Sequence, residues 1–402
     1  MIEIYLDNFK TFRDFRIKLS GLQVIAGPNG SGKSNFVQAL KLIKHLIVRA
    51  PYSPQELVPI WQSIFCKRAR KRRRPLYLTF GVKLSGLEFE QFRPKECEYE
   101  AFGVKLEHTP NGLGGSTVTV VGEMFDQPPV IRCVWEGDPV KVDVEVEDDP
   151  EFANFLRKIV KGIAASGQSQ LILPQLPGVP WSVFRRSFED WTFIDPAPSE
   201  ARHPARANEQ LSESGYGLPL LLQEIEKGTR QDVRERLKSL MKEFVPGFED
   251  WSVERQKDGT YIFTIKEKGV KARFVPEQVS DGTVRLLCIL GVLLHPRRSG
   301  LVVIEEPEKA LHPKVLERVV DFFRQAARNR VVLVTTHSPI VVKACKPEEL
   351  ILFEKVRGLT QTFYPKDVEH IDKFLEEFSL DELWLRDMLQ RQKELPFGGS
   401  GS

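Results

Sequence analysis

The sequence predicts an α/β fold with an antiparallel β lobe and a helical insertion, and three patterns support this prediction. Leu22, Val24, Ile25 and Ala26 are typical of a buried strand, and apolar residues recur at helical spacing over 36–47 after a glycine-rich loop. Several short segments within 76–146 alternate apolar and polar side chains, as strands with one buried face do. Two further apolar runs, 301–304 and 331–334, enclose a helical pattern, which predicts a parallel strand–helix–strand unit.

Changes of pattern along the chain divide it into segments. The stretch 148–151 combines a capping aspartate, a first-turn proline and a glutamate, which is typical of a helix start. Helical patterns, interrupted by a proline-rich loop at about 174–204, then continue up to about residue 250, and mixed strand and helix patterns follow. We expect an N-terminal lobe at 1–147, a helical insertion at 148–250, a C-terminal lobe at 251–357, a helical tail at 358–397 and a linker remnant at 398–402.

Composition indicates a globular chain and names no partner. The chain has 402 residues, of which 41% are hydrophobic and 28% charged, and its formal net charge is +3. The five cysteines form no close pairs, which favours a reducing compartment over a zinc site or a disulfide framework. The N-terminus lacks a signal-peptide core, and the apolar runs fall short of the ~20 residues that span a membrane. We therefore expect a cytoplasmic protein without a membrane partner.

The loop at residues 27–34 fits the pattern Gly, four residues, Gly-Lys-Ser of a phosphate-binding loop. Its glycines let backbone N–H groups curl around phosphate oxygens, and the helix N-terminus adds a positive dipole end. Lys33 can reach the β- and γ-phosphates, and Ser34 can ligate Mg²⁺. An accidental glycine-rich turn is the alternative, but the flanking strand and helix favour ATP binding. The candidate nucleotide-binding residues of this loop are Asn29, Gly30, Ser31, Gly32, Lys33, Ser34 and Asn35.

Two acidic residues follow the apolar strand at 301–304, as in a Walker B motif. We assign Glu305 to the metal and Glu306 to the attacking water. His337 follows the next buried strand, so it lies at the same sheet edge, where a neutral imidazole can contact the γ-phosphate. The alternatives are an acidic strand end that caps the following helix and a structural histidine.

Ser280 begins a nearly all-apolar helix, so both its hydroxyl and the helix dipole can face an anion. On this residue alone, an ordinary N-cap is the simpler interpretation.

Taken in order, these motifs resemble an ABC-type P-loop ATPase head of the RecF/SMC-like group, close to stand-alone AAA-family ATPases related to the OLD proteins. The resemblance implies a two-lobed head that hydrolyses ATP with Mg²⁺ and dimerises around two ATP molecules. It also implies that Ser280, with Gly282 behind it, contacts the γ-phosphate bound by the other subunit. The residues that carry the resemblance are NFKTF at 8–12, GPNGSGKSN at 27–35, SDGTVRLL at 280–287, IEEPEKALHP at 304–313 and THSP at 336–339.

Three departures from the family pattern matter. Glu305 stands where many relatives have aspartate, and Asp281 replaces the glycine of transporter-type signatures, which disfavours a transporter role. OLD-type nucleases carry a Toprim domain, whereas about 65 residues follow His337 here, fewer than the ~100 of a typical domain. We therefore expect any nuclease activity to reside in a separately encoded effector.

A dense basic block is the remaining candidate site. It could bind a nucleic-acid phosphate backbone, and the alternative is a solvated loop, because it contains no interleaved aromatic residues for base stacking. Its residues are Lys67, Arg68, Arg70, Lys71, Arg72, Arg73 and Arg74.

The predicted function is an ATP-binding and hydrolysing switch that acts on DNA or a partner effector, in genome maintenance or anti-phage defence. Three alternatives stay open: a nucleotide-bound scaffold with little turnover, an ABC transporter ATPase subunit and a small-molecule P-loop kinase.

Overall fold

The computed structural model describes eleven stretches of the chain, which form two compact units interleaved along the sequence. The described residues are 1–7, 9–48, 76–85, 99–110, 116–127, 131–136, 141–145, 181–228, 231–295, 300–386 and 388–389. The first unit comprises 1–20, 30–189 and 353–361, and the second comprises 21–29, 190–352 and 362–402. The four-segment division expected from the sequence stays a prediction. The basic block at 67–74 lies outside the described residues.

Both units mix strands and helices. The strands are β1 (Ile2–Asp7), β2 (Phe15–Leu19), β3 (Leu22–Ala26), β4 (Leu76–Ser85), β5 (Tyr99–Pro110), β6 (Ser116–Gln127), β7 (Ile131–Glu136), β8 (Lys141–Glu145), β9 (Thr192–Ile194), β10 (Ala205–Arg206), β11 (Phe248–Arg255), β12 (Thr260–Glu267), β13 (Arg273–Phe274), β14 (Leu301–Glu305), β15 (Val331–Thr336), β16 (Leu350–Val356) and β17 (Leu359–Phe363). The α-helices are α1 (Lys33–Val48), α2 (Trp181–Glu189), α3 (Pro198–Ala201), α4 (Leu218–Lys227), α5 (Gln231–Phe244), α6 (Asp281–Leu294), α7 (Pro313–Ala326), α8 (Pro339–Lys343), α9 (Ile371–Glu377) and α10 (Leu380–Leu385).

The first unit contains the predicted antiparallel β lobe. Its strands lie in the order β2-β1-β4-β5-β6-β7-β8, and each neighbouring pair is antiparallel. In β1, the side chains of Ile2, Ile4 and Leu6 are buried and alternate with half-buried ones, as the sequence pattern predicts. The α/β fold with an antiparallel lobe is therefore confirmed.

The second unit contains a parallel sheet in which strands run in the order β16-β3-β15-β14-β9. Strands β14 and β15 pair in parallel from Leu301 opposite Val331 to Glu305 opposite Thr335, and α7 connects them. Strand β3 pairs with β15 on one side and with residues 350–352 of β16 on the other. Every residue of β3 and β15 is buried, and both strands are accordingly rich in apolar residues without strict alternation, with Gln23 and the two final threonines of β15 as buried polar exceptions.

Helices and a small antiparallel sheet complete the second unit. Helix α6 is buried from Thr283 to Leu293, which explains its nearly uniform apolar sequence. Helix α7 buries a stripe that includes Leu316, Val319 and Phe323, as its spacing predicts. Strands β11 and β12 form a hairpin whose turn includes Gly259, with φ at 86°. Among the described residues, we find no helix long and apolar enough to cross a membrane.

The sequence analysis missed strand β9, which lies inside the proline-rich loop expected at about 174–204. Thr192, Phe193 and Ile194 pair in parallel with residues 302–304 of β14, next to the predicted catalytic strand. The strand has only three residues and is followed by a proline-rich segment, so no periodicity identifies it. This strand places Asp195 at the carboxyl edge of the parallel sheet.

Candidate active site

The predicted phosphate loop connects β3 to α1. Two of its glycines adopt the left-handed backbone region that glycine enters without strain, with φ of 77° at Gly30 and 115° at Gly32. Helix α1 begins at Lys33, so the loop leads directly into a helix N-terminus. Curled backbone N–H groups at a helix start form an anion-binding arrangement, which is the geometry that the sequence motif requires.

The side chains of the loop differ in their exposure. Lys33 is only 5% exposed, and its Nζ lies 3.4 Å from the hydroxyl oxygen of the fully buried Ser31. Asn29 and Ser34 are exposed. The amide of Asn35 does not extend into solvent, because its Nδ2 donates to the hydroxyl oxygen of Thr11 at 3.2 Å. The lysine provides the positive charge that a phosphate needs.

An aromatic cluster supports the start of α1. Phe12, Phe15, Phe36 and Phe353 are buried, and their ring centroids lie between 4.5 Å (Phe12 to Phe15) and 6.2 Å (Phe12 to Phe353) apart. Most of these pairs meet edge to face, an arrangement that contributes about 0.5–1.5 kcal/mol per pair beyond burial. Because Phe36 lies in the first turn of α1, the cluster fixes the helix end that carries the phosphate loop.

The two predicted carboxylates lie at the carboxyl end of β14. Glu305 is the last residue of the strand, and Glu306 follows with φ at 45°. The left-handed region costs a non-glycine residue about 1–2 kcal/mol. The backbone N–H of Glu306 donates to the carbonyl of Thr335 at 2.8 Å and helps to hold this conformation. Such conformations cluster at functional sites, and this one aims the carboxylate that we assign to the water.

The structure brings Glu306 and His337 together, as the strand-end argument predicts. His337 Nε2 lies 3.7 Å from a carboxylate oxygen of Glu306, and Lys309 Nζ lies 3.4 Å from the other. Each of the two sequence-predicted side chains is about one third exposed. The Glu306 carboxylate is therefore accessible to water and balanced by at least one cation.

Glu308 is a site residue that the sequence analysis missed. One of its carboxylate oxygens accepts from the hydroxyl of Thr336 and from the backbone N–H of His337, both at 2.8 Å. Its other oxygen is buried and has no hydrogen-bond partner among the described residues. The sequence signal that could have identified it is that Glu308 is the third acidic residue of the stretch EEPE at 305–308. Its hydrogen bonds fix the main chain at His337.

Asp195 and two cations complete the charge network at this edge. Lys309 Nζ lies 3.2 and 3.3 Å from the two carboxylate oxygens of Asp195. The buried Arg285 lies 3.3 Å from Asp195 and 3.3 Å from the backbone oxygen of Glu306. Burial alone would lower the pKa of Lys309, but attraction by Asp195 and Glu306 outweighs it, so the pKa lies above its usual value. Lys309 therefore stays charged near neutral pH.

Ser280 is the N-cap of α6 in this structure. Its hydroxyl oxygen accepts from the backbone N–H of Thr283 at 3.2 Å, and the residue is exposed. Packing explains why a glycine occupies position 282, because a side chain there would come within 2.5 Å of the carbonyl oxygen of Ala310. Arg202 braces the preceding turn by pairing with Asp281 at 2.5 Å and with the carbonyl of Val279 at 2.6 Å. Contact of Ser280 with a γ-phosphate stays a prediction.

Comparison with protein families identifies two ATPase models in the chain. The description "AAA domain, putative AbiEii toxin, Type IV TA system" matches residues 174–343, and "AAA ATPase domain" matches residues 1–71. The two ranges contain every residue that we assigned to nucleotide, metal or catalysis. They confirm the prediction of an AAA-family ATPase. No curated protein matches the chain.

Three solved structures are similar to the chain. The first, an SmcHead bound to the C-winged helix domain of ScpA, is 14% identical with a TM-score of 0.49, over 90% of this chain and 95% of that one. The second, an SMC head domain from Thermotoga maritima, is 15% identical with a TM-score of 0.44, over 90% and 97%. The third, an Smc head domain with an extended coiled coil bound to the C-terminal domain of ScpA derived from Pyrococcus furiosus, is 14% identical with a TM-score of 0.47, over 94% and 99%.

Proposed function

We propose that this AAA-family ATPase is an ATP-driven conformational switch, in which ATP joins two copies of the chain and hydrolysis releases them. The observation that carries the proposal is the carboxyl edge of the parallel sheet. There, the left-handed Glu306 holds its carboxylate beside His337, and Glu308 fixes the main chain of His337. This arrangement supplies a base for water next to an imidazole that can contact a phosphate.

Each unit contributes its own part of the chemistry. In the first unit, the loop backbone and Lys33 bind phosphate oxygens and hold the nucleotide. In the second, Glu306 orients the attacking water and takes up its proton, while His337 contacts the γ-phosphate.

The residues that the sequence assigns to a metal are of a kind that fits Mg²⁺. The Ser34 hydroxyl and the Glu305 carboxylate are hard oxygen ligands of the kind that Mg²⁺ prefers. Mg²⁺ would supply neutralisation of phosphate charge during hydrolysis.

The proposed dimer rests on Ser280. The residue is exposed at the N-terminus of a 14-residue helix, where its hydroxyl and the helix dipole can face an anion presented by another copy. Its present hydrogen bond to Thr283 can be exchanged for one to phosphate, because a hydroxyl both donates and accepts.

The output of the switch is proposed to be control of DNA or of a separately encoded effector such as a nuclease. The Type IV toxin–antitoxin description of one matching family is compatible with a role in defence. Nucleic-acid binding by the basic block at 67–74 stays a prediction.

A scaffold with little turnover is the second candidate function. The ion pair between Glu306 and Lys309 favours it, because the lysine occupies a carboxylate oxygen that would otherwise orient the water.

Glu306→Gln tests the proposal. We expect the variant to bind MgATP as wild type does and to hydrolyse it at least about 100-fold more slowly. It should accumulate as an ATP-dependent dimer in sedimentation. Glu317→Gln, which removes a carboxylate from the exposed face of α7, is the matched control. Wild-type hydrolysis in Glu306→Gln would contradict the assignment, and a monomer with bound ATP would contradict the dimer. A wild-type protein that binds ATP but barely hydrolyses it would instead support the scaffold.

A further inference from the structure

A line of hydrogen bonds within the first unit links strand β17 to the phosphate loop. The hydroxyl oxygen of Thr360 lies 2.8 Å from the carbonyl oxygen of Ser31 and 2.7 Å from the hydroxyl oxygen of Thr11. Asn35 Nδ2 donates to the same Thr11 oxygen at 3.2 Å. Ser31 is fully buried and Thr360 is 5% exposed, so water scarcely competes for these bonds.

The direction of these bonds follows from counting protons. A threonine hydroxyl carries one proton, and a carbonyl oxygen can only accept. The hydroxyl of Thr360 is placed to donate both to the carbonyl of Ser31 and to the hydroxyl oxygen of Thr11, so its one proton is shared between these two acceptors. Asn35 also donates to the hydroxyl oxygen of Thr11, so Thr11 accepts from two sides and holds the hydroxyl of Thr360 beside Ser31.

The geometry connects this line to the surface that would face a phosphate. The carbonyl of Ser31 and the N–H of Gly32 belong to one planar peptide and point in opposite directions. Holding the carbonyl on the Thr360 side thus aims the N–H of Gly32 away from it. Gly32 has φ at 115°, and a side chain at this position would collide with the hydroxyl of Thr360. Strand β17 therefore packs directly against the backbone of the loop.

We propose that Thr360 and Thr11 are positioning residues for ATP, which hold the peptide between Ser31 and Gly32 in its phosphate-binding orientation. The inference rests on the proposed function, since it requires this loop to bind the phosphates of ATP. Neither threonine needs to touch the nucleotide. Without the hydroxyl of Thr360, the buried carbonyl of Ser31 loses its partner, and the peptide can rotate toward another donor.

Thr360→Val is the informative variant. Valine keeps the shape and the β-branched side chain of a strand residue but cannot donate. The backbone N–H of Thr360 still donates to the carbonyl of Thr11 at 2.8 Å, which keeps β17 in place. Thr360→Ser restores the hydroxyl. Thr362→Val, the same change two residues along the strand, is the matched control.

Two measurements test the inference. By calorimetry, we expect the Kd of Thr360→Val for MgATP to rise roughly tenfold, that of Thr360→Ser to stay within about threefold, and that of Thr362→Val to match wild type. The kcat of Thr360→Val at saturating ATP should stay within about threefold of wild type, because only the loop changes. In ligand-free protein, amide hydrogen exchange over residues 30–35 should be faster in Thr360→Val than in Thr362→Val.

The outcomes separate this inference from the proposed function. Unchanged affinity in Thr360→Val overturns the positioning role, and so does an equal loss in Thr360→Ser, which would indicate shape rather than the hydroxyl. If Lys33→Ala loses ATP while Thr360→Val keeps it, the loop still binds nucleotide and only the positioning role fails. The exchange measurement needs no nucleotide, and unchanged exchange in Thr360→Val would also overturn the role.

Discussion

The phosphate loop and the carboxyl edge of the parallel sheet are held in place by different forces. Around the loop, the partners are hydroxyls, an amide, a carbonyl and four phenylalanine rings, with Lys33 as the cation of the loop itself. At the carboxyl edge, Asp195, Arg285, Glu306 and Lys309 bind one another through charge. The described contacts around Ser31 are therefore neutral, whereas those at the carboxyl edge join acids to cations.

This difference follows from what each region would bind. A phosphate brings negative charge, which Lys33 attracts, and the neutral contacts that hold Ser31 add no charge of their own. At the carboxyl edge, the carboxylates would repel one another in the absence of a bound metal unless cationic side chains lay between them. ATP binding by the loop should accordingly be sensitive to removal of a hydroxyl. Hydrolysis at the charged edge should be sensitive to removal of a charge and to the salt concentration.

The largest effect is expected from Lys33→Ala, which removes the only cation of the loop sequence. A charge-assisted bond from Lys33 to phosphate is lost, so MgATP affinity should fall at least about 100-fold by calorimetry. The fold should survive, because the first unit is held by its sheet and aromatic cluster. Lys41→Ala, two turns further along α1, should bind ATP normally. Wild-type affinity in a folded Lys33→Ala protein would remove the basis for the phosphate-loop assignment.

Most of the site could be predicted because its residues lie at the ends of strongly patterned elements. The apolar runs of β14 and β15 and the stripe of α7 fixed a parallel pair, and parallel strands bring Glu306 and His337 to one edge. Tertiary partners could not be predicted in the same way. Asp195 depends on a three-residue strand stabilised by pairing, and Thr360 meets Ser31 across 329 residues of sequence. No local periodicity encodes such contacts.

A smaller effect is expected at Glu308, which sharpens the comparison at the charged edge. Glu308→Ala removes the carboxylate that accepts from the hydroxyl of Thr336 and from the N–H of His337. The main chain at His337 is then held less firmly, and the imidazole is positioned less precisely. We expect kcat to fall about tenfold with little change in ATP affinity. Glu308→Gln should recover much of the rate, because its amide oxygen still accepts both bonds. Equal losses in the alanine and glutamine variants would indicate that the charge of Glu308 matters more than its hydrogen bonds.

The smallest effect is expected at Lys309. Removing this cation tests directly whether the carboxyl edge is a balanced charge network. Lys309 contacts both Asp195 and Glu306, but its side chain is 43% exposed, so water screens its charge. Lys309→Met keeps the aliphatic stem and removes the cation. The carboxylate oxygen of Glu306 that Lys309 contacts is then free to orient the attacking water, and kcat should rise about twofold to threefold. Raising the ionic strength should stimulate wild type in the same direction and Lys309→Met less, while Lys314→Met at the exposed start of α7 should behave as wild type. A fall in kcat in Lys309→Met would show that Lys309 positions Glu306 for hydrolysis instead of restraining it.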